Sequence, residues 1–191
     1  MQFSVRALPF VCLFILSGCL VKQVKPRPPS AYSAQYWGNV SGMRNGRALQ
    51  NPRIWATSRT PCNDHAFDVF ITEFNDQGDE LLTFTLANIP KRACTLSRFK
   101  TDYANLFCAT DTVGSTLTAK MSVGFSSTYK PGRWGNGLTI VSYDSLKGEI
   151  KGRFRLSLVV DSRLSGHSPD SIRIEQGEFV TKLRGAGGTY R

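Results

Sequence analysis

The stretch EIKGRFRLSLVVD, residues 149–161, decides the fold expected of this chain. Apolar or small residues alternate one by one with polar ones, and the apolar set is Ile150, Gly152, Phe154, Leu156, Leu158 and Val160. Successive side chains of a β-strand point to opposite faces, so the other face carries Lys151, Arg153 and Arg155. The pattern is typical of an antiparallel strand with one buried and one solvated face.

Neighbouring stretches extend this pattern into hairpins. NGLTIVSYD, residues 136–144, leads into the strand through the turn SLKG, which predicts a hairpin. SIRIEQGEFVTKL, residues 171–183, alternates as well, and Gly177 is expected to form a bulge that reverses the phase before Phe179. A second hairpin is predicted around Gly78, where NDQGD separates AFDVFITEF from ELLTFTLANI. Further strand-like runs are QYWGNVSG, RIWATS, TLSRF and STLTAKMSVGF.

The sequence has no helical stripe longer than two turns, and its short strands end at Gly, Asn, Asp or Pro. This predicts an all-β fold of about eight to ten antiparallel strands, arranged as a sandwich or as a lipocalin-like up-and-down barrel. The sequence does not separate these two arrangements. The expected organisation is a single β domain over residues 35–184 and a flexible tail over 185–191.

The N-terminus has the features of a signal peptide over residues 1–18. Arg6 supplies a positive charge, residues 7–15 are mainly apolar, and Leu16, Ser17 and Gly18 precede Cys19. The apolar run is shorter than the roughly 20 residues that a transmembrane helix needs. The chain is therefore expected to be exported.

The sequence Leu-Ser-Gly-Cys resembles the bacterial lipobox, in which a diacylglycerol is attached to the cysteine sulfur before the signal is removed. The resemblance implies that Cys19 is the mature N-terminus and that it carries acyl chains such as palmitate. Two or more chains hold a protein stably on a membrane. Leu20 stands where an aspartate would mark inner-membrane retention, which favours the outer membrane and a periplasm-facing position. The alternative is an ordinary secretory signal or an uncleaved anchor.

A tether is expected between the anchor and the domain, over residues 19–34. Its centre, KPRPPS, is too polar and too rich in proline to fold, so it predicts an extended spacer. The whole chain has a formal net charge of +10. A basic protein favours anionic neighbours such as lipid head groups, and the alternative is a solvated basic surface without a specific partner. The charge is spread along the chain without a nucleic-acid-binding motif, so no specific nucleic-acid partner is expected.

Three cysteines besides Cys19 remain after removal of the signal: Cys62, Cys94 and Cys108. An oxidising compartment favours one disulfide and one free thiol. Cys62 and Cys94 each lie sixteen positions from Gly78, so the second hairpin would place them opposite each other. We therefore predict a Cys62–Cys94 disulfide, with Cys94–Cys108 as the alternative. No metal site is expected, since these cysteines lack ligand spacing and histidines are scarce.

Several motifs together resemble a family of Bacteroidota outer-membrane lipoproteins of unknown activity. They are GNVSG and RIWAT, then LTFTLANIP, and finally GLTIVSYD, IKGRFRLSL and IRIEQGEFV. In that family a Gly-x-Phe-x-Phe strand and a terminal Gly-x-Phe strand close an all-β domain. The chain departs from the family at IPKRACTL, where a Pro-Gly turn and a tyrosine are expected. The resemblance implies fold and location only.

A candidate ligand-contact site is YKPGRWGNG, residues 129–137. Tyr129 and Trp134 beside Arg133 in a glycine-rich loop would offer a flat apolar surface with a cation, suited to a sugar or an acyl chain. The alternative is that these aromatic residues pack in the core. Trp37 and Trp55 lie within strand-like runs and are expected to be core residues.

No catalytic constellation is recognisable in the sequence. His65 precedes a strand, and His167 lies in a loop with Ser165 and Asp170 that lacks the elbow of a serine hydrolase. We expect no enzyme and no cofactor. The expected function is a lipid-anchored binding module for a glycan, a lipid or an envelope protein. The alternative is an assembly accessory that uses a sheet edge or the basic strand face.

Overall fold

The structure is a computed structural model that describes residues 35–59, 62–101, 115–121, 127–133, 135–163 and 168–184. The predicted signal peptide 1–18, the lipidation site Cys19, the spacer 19–34 and the tail 185–191 lie outside these residues. Within the described residues, no helical segment has the length and apolarity required to cross a membrane.

Over the described residues, eleven β-strands form one sheet, which confirms the predicted all-β fold with one strand more than the eight to ten expected. Their bounds are β1 Gly38–Arg44, β2 Arg47–Ala48, β3 Arg53–Arg59, β4 Asn63–Phe74, β5 Glu80–Pro90, β6 Cys94–Leu96, β7 Thr116–Met121, β8 Ser127–Pro131, β9 Gly137–Asp144, β10 Glu149–Arg163 and β11 Ser171–Arg184. Both predicted hairpins are present, as β4–β5 and as β9–β10.

The sheet closes on itself through seven of these strands, in the order β3, β4, β5, β7, β8, β10 and β11. The closure from β11 back to β3 is a short parallel pairing, in which Leu183 is opposite Ala56 and Arg184 is opposite Thr57. The remaining strands are branches: β1 and β2 extend from β11, and β9 and β6 extend from β10. The arrangement therefore has a ring-like closure and two added sheet edges.

Strands β10 and β11 are the longest of the described strands, with 15 and 14 residues, and they are the two ring strands from which the branches extend. One edge of β10 pairs with β11, and the other pairs with β9 and then with β8. Strand β11 similarly pairs with β10 on one edge and with β1 and β3 on the other. This hairpin is consequently the junction of the whole sheet.

Glycines and phenylalanines pack reciprocally across this junction. Gly152 is paired with Phe179, and Phe154 is paired with Gly177. A Cβ on Gly152 would lie 2.5 Å from the Phe179 ring, and one on Gly177 would lie 2.6 Å from the Phe154 ring. Each ring thus covers the glycine opposite it, in the way that aromatic residues compensate for glycine in strands.

The bulge expected at Gly177 is confirmed. Phe154 is opposite Gly177 and Leu156 is opposite Ile174, so β11 contains one more residue than β10 over this interval. Gln176 adopts a left-handed conformation with φ of 53°. The extra residue restores the inward direction of Phe179, as the change of phase in the sequence requires.

The ring encloses one packed hydrophobic core. Inward residues from all its strands contribute to it, and the largest fully buried side chains are Tyr129, Phe67, Phe84, Ile54, Ile71, Leu82, Leu86, Ile89, Leu117, Leu138, Ile140 and Ile150. Glu73 is also fully buried, and its carboxylate pairs with Arg44 Nε at 2.6 Å and accepts a hydrogen bond from the Gln50 N–H at 2.9 Å. This ion pair connects β1 to β4.

The outer side of the ring is less exposed on some strands than on others. On β4, β5 and β7, threonines that alternate with core residues are buried: Thr72, Thr85, Thr116 and Thr118. On β10 the outward residues Lys151, Arg153 and Arg155 are exposed, as the alternation predicts. The accessible face therefore lies on the side of the β10–β11 hairpin.

We expect Gly152→Ala to destabilise the protein by about 1–3 kcal/mol, because its Cβ would overlap the ring of Phe179 in a packed core. Gly137→Ala in β9 is a matched control, since a Cβ there meets no atom within 4 Å. Urea unfolding of both variants and the parent measures the difference. Equal unfolding midpoints for the two variants would show that the glycine at 152 has no packing role.

Candidate functional site

The accessible face of the β10–β11 hairpin contains a shallow groove with a volume of about 380 Å³. It runs across four neighbouring strands, β9, β10, β11 and β1, and its outward side chains are Val141, Lys151, Arg153, Glu178, Val180, Asn39 and Ser41. We call this site the basic groove. Strand pairing brings together side chains from three distant parts of the chain.

Two cations dominate the basic groove. Lys151 and Arg153 occupy successive outward positions of β10, and their side chains are 53% and 71% exposed. Arg153 Nε lies 3.1 Å from Glu178 Oε1, and Lys151 Nζ lies 3.3 Å from Glu149 Oε1. Ion pairs at this exposure stabilise a protein by only about 0–1 kcal/mol. Both cations can therefore exchange their partners for an anion from solution.

The rest of the basic groove is apolar on β9 and β11 and polar on β1. Val141 is 52% exposed, because a register shift between Lys151 and Gly152 makes it an extra residue on β9. Val180 on β11 is half-buried, while Asn39 and Ser41 on β1 are exposed. The groove thus offers an aliphatic surface, an amide and a hydroxyl beside its cations, a combination suited to an anionic ligand with a small apolar part.

The predicted contact residues Tyr129, Arg133 and Trp134 do not form a surface site as a set. Tyr129 lies in β8 rather than in a loop, is fully buried, and donates a hydrogen bond to the Pro169 carbonyl at 3.0 Å. Burial raises the pKa of its phenol. The ligand-contact prediction for Tyr129 is therefore wrong, because pairing with β7 and β10 places its ring in the core. Arg133 is exposed, and Trp134 lies outside the described residues.

The predicted Cys62–Cys94 disulfide is also wrong, as is the Cys94–Cys108 alternative, because Cys94 is a free thiol. Cys62 is disulfide-bonded, and its partner lies outside the described residues. Cys62 and Cys94 are not opposite each other because the β4–β5 ladder ends at Pro90, and Cys94 lies in β6 opposite Ile140 of β9. Burial raises the pKa of the Cys94 thiol.

Trp37 and Trp55 are half-buried outside the core cluster, so the expectation that they are core residues is wrong. Trp55 stacks on Phe70 with ring centroids 4.0 Å apart, and the Lys182 ammonium lies 4.7 Å from the Trp37 ring centroid. These contacts explain their burial without a ligand.

Of the residues considered for chemistry, the structure describes His65 and Asp170. His65 is exposed, Ser165 and His167 lie outside the described residues, and Asp170 pairs with Arg163. Over the described ranges, no three or more His, Cys, Asp or Glu side chains are grouped so that they could hold a metal ion.

Sequence reasoning identified the cations of the basic groove but not its other members. The alternation in β10 places Lys151 and Arg153 on one face, as observed. The contributions of β1 and β9 depend on which strands are neighbours and on the Val141 bulge, and no local pattern encodes these. The predicted change of phase at Gly177 is observed, but it did not single out Glu178 as a member of the groove.

Comparison with known proteins finds no matching family, no matching curated protein and no matching solved structure. The features of this chain that bear on its function are therefore the basic groove and the N-terminal sequence.

Proposed function

We propose that this chain is a lipid-anchored lipoprotein of the cell envelope, located at the outer membrane and facing the periplasm, whose β domain binds an anionic envelope component. The observation that carries the binding role is the basic groove, in which Lys151 and Arg153 stand exposed above an aliphatic surface. The anchoring role is supported by the lipobox-like sequence that ends at Cys19. No catalytic role is proposed.

The charge of the molecule supports an anionic partner. The whole chain carries a formal charge of +10, and the accessible face contributes the adjacent cations of β10. A field of this sign attracts anions to the surface, and it weakens as ionic strength rises. A packed core beneath this face supports a surface contact rather than a ligand enclosed in the ring.

The anchor is tested by mass spectrometry of the mature protein purified from its native envelope. The expected N-terminal residue is Cys19 carrying a diacylglycerol on its sulfur, because the residues before it match a lipobox. A chain that begins at Met1 and carries no fatty acid would contradict the anchoring proposal.

The basic groove is tested with the double variant Lys151→Ala/Arg153→Ala on a column of the sulfated polysaccharide heparin, a general anionic probe. The full chain is kept in nonionic detergent and eluted with a salt gradient. We expect the variant to elute at clearly lower salt than the parent, because the two cations form one local site.

The control is Arg47→Ala/Arg173→Ala, which removes the same charge at exposed positions outside the groove. Its elution is expected to stay near that of the parent. Equal shifts in the two double variants would mean that only net charge matters, and the proposed role of the groove would be rejected.

A further inference from the structure

The basic groove already contains a carboxylate at the position where an external anion would bind. Glu178 is directly opposite Arg153 in the β10–β11 register, and its Oε1 lies 3.1 Å from Arg153 Nε. The Glu178 side chain is 62% exposed, so it is held there by little besides this pair. Glu178 therefore competes with any anion for the guanidinium.

We propose that the basic groove binds the phosphate head group of an anionic phospholipid, and that the phosphate displaces Glu178 from Arg153. This inference rests on the proposed function and adds to it the ligand class and an exchange of partners. The guanidinium offers paired N–H donors that match phosphate oxygens, and Lys151 supplies a second charge two residues away.

The position of the groove relative to the tether favours a lipid as the source of the phosphate. Groove residues Asn39 and Ser41 belong to β1, which starts at Gly38, only a few residues after the predicted spacer 19–34. Even a fully extended spacer of this length spans only about 50 Å. An anchored domain is thus held close to a surface of lipid head groups, where their local concentration is high.

The apolar part of the groove favours the same ligand. Val141 is exposed beside Lys151, and Val180 lies between the outward residues of β10 and β1. The glycerol backbone and the first methylene groups of a phospholipid would cover these side chains while the phosphate contacts the cations. Free phosphate has no such apolar part and would leave the valines exposed.

The free energy needed to replace Glu178 by a phosphate at Arg153 determines how much neutralising Glu178 should strengthen lipid binding. A lipid phosphate must break the exposed ion pair of Glu178 with Arg153 in order to bind the guanidinium, so this pair lowers the affinity for the lipid. The displaced carboxylate would also remain near the phosphate and repel it. Neutralising Glu178 should consequently strengthen phospholipid binding by about five-fold, which corresponds to about 1 kcal/mol.

The test compares Glu178→Gln with Glu175→Gln in the full chain, purified in nonionic detergent and titrated calorimetrically with phosphatidylglycerol in mixed micelles. Glu175 is a matched control, because it is an exposed glutamate on the same strand outside the groove. We expect about five-fold tighter binding for Glu178→Gln and less than two-fold change for Glu175→Gln. In an Arg153→Ala background, the effect of Glu178→Gln should fall to less than about two-fold, since no ion pair remains to be broken and only the repulsion between the carboxylate and the phosphate is removed.

The same titration is repeated with phosphatidylcholine and with inorganic phosphate. Both should bind much more weakly than phosphatidylglycerol. Unchanged or weaker binding in Glu178→Gln would overturn the exchange. Equal binding of phosphatidylglycerol and phosphatidylcholine, or equal binding of inorganic phosphate, would overturn the lipid assignment. Either of these outcomes would overturn the phospholipid inference alone. The proposed function would stay intact as long as retention on heparin still depends on Lys151 and Arg153.

Discussion

The reciprocal packing of Phe179 on Gly152 and of Phe154 on Gly177 constrains the rest of the molecule. It fixes the register of the β10–β11 hairpin at the point where the ring and the branches of the sheet join. A shift of one residue would turn the rings outward and the charged residues inward. Because neighbouring residues alternate in direction, the same register places Lys151, Arg153 and Glu178 on the outer face. The core contact and the basic groove thus lie on opposite faces of the same short segment of the β10–β11 hairpin.

Charged side chains serve two different purposes in this structure. Arg59 and Asp68 form a buried pair at 3.1 Å, and the Asp68 carboxylate also accepts a hydrogen bond from the Asn88 N–H at a bulge of β5. Burial raises the pKa of Asp68, while the Asn88 N–H and Arg59 oppose that rise. Breaking such a pair is costly, so it holds strands in place. The pair of Arg153 and Glu178 is exposed and weak, which permits exchange with a ligand.

Much of the fold follows from local patterns in the sequence. Alternation identifies β10 and its basic face, the turn residues identify both hairpins, and the change of phase at Gly177 identifies the bulge. Features that depend on the pairing of strands far apart in the sequence do not follow from such local patterns. Cys94 leaves the β4–β5 ladder for β9, Tyr129 enters the core through β8, and the groove receives Asn39 from a strand that lies more than a hundred residues before β10. Register shifts on β5 and β9 add residues that a count along the sequence cannot place.

Proton NMR of the labelled protein tests the register of the β10–β11 hairpin most directly. The Hα protons of Gly152 lie next to the Phe179 ring, and those of Gly177 lie next to the Phe154 ring. The account predicts ring-current shifts of these resonances, together with nuclear Overhauser contacts from each glycine to the opposite ring. Unshifted glycine resonances, or contacts that pair the rings with residues one position away, would contradict both the core packing and the placement of the groove.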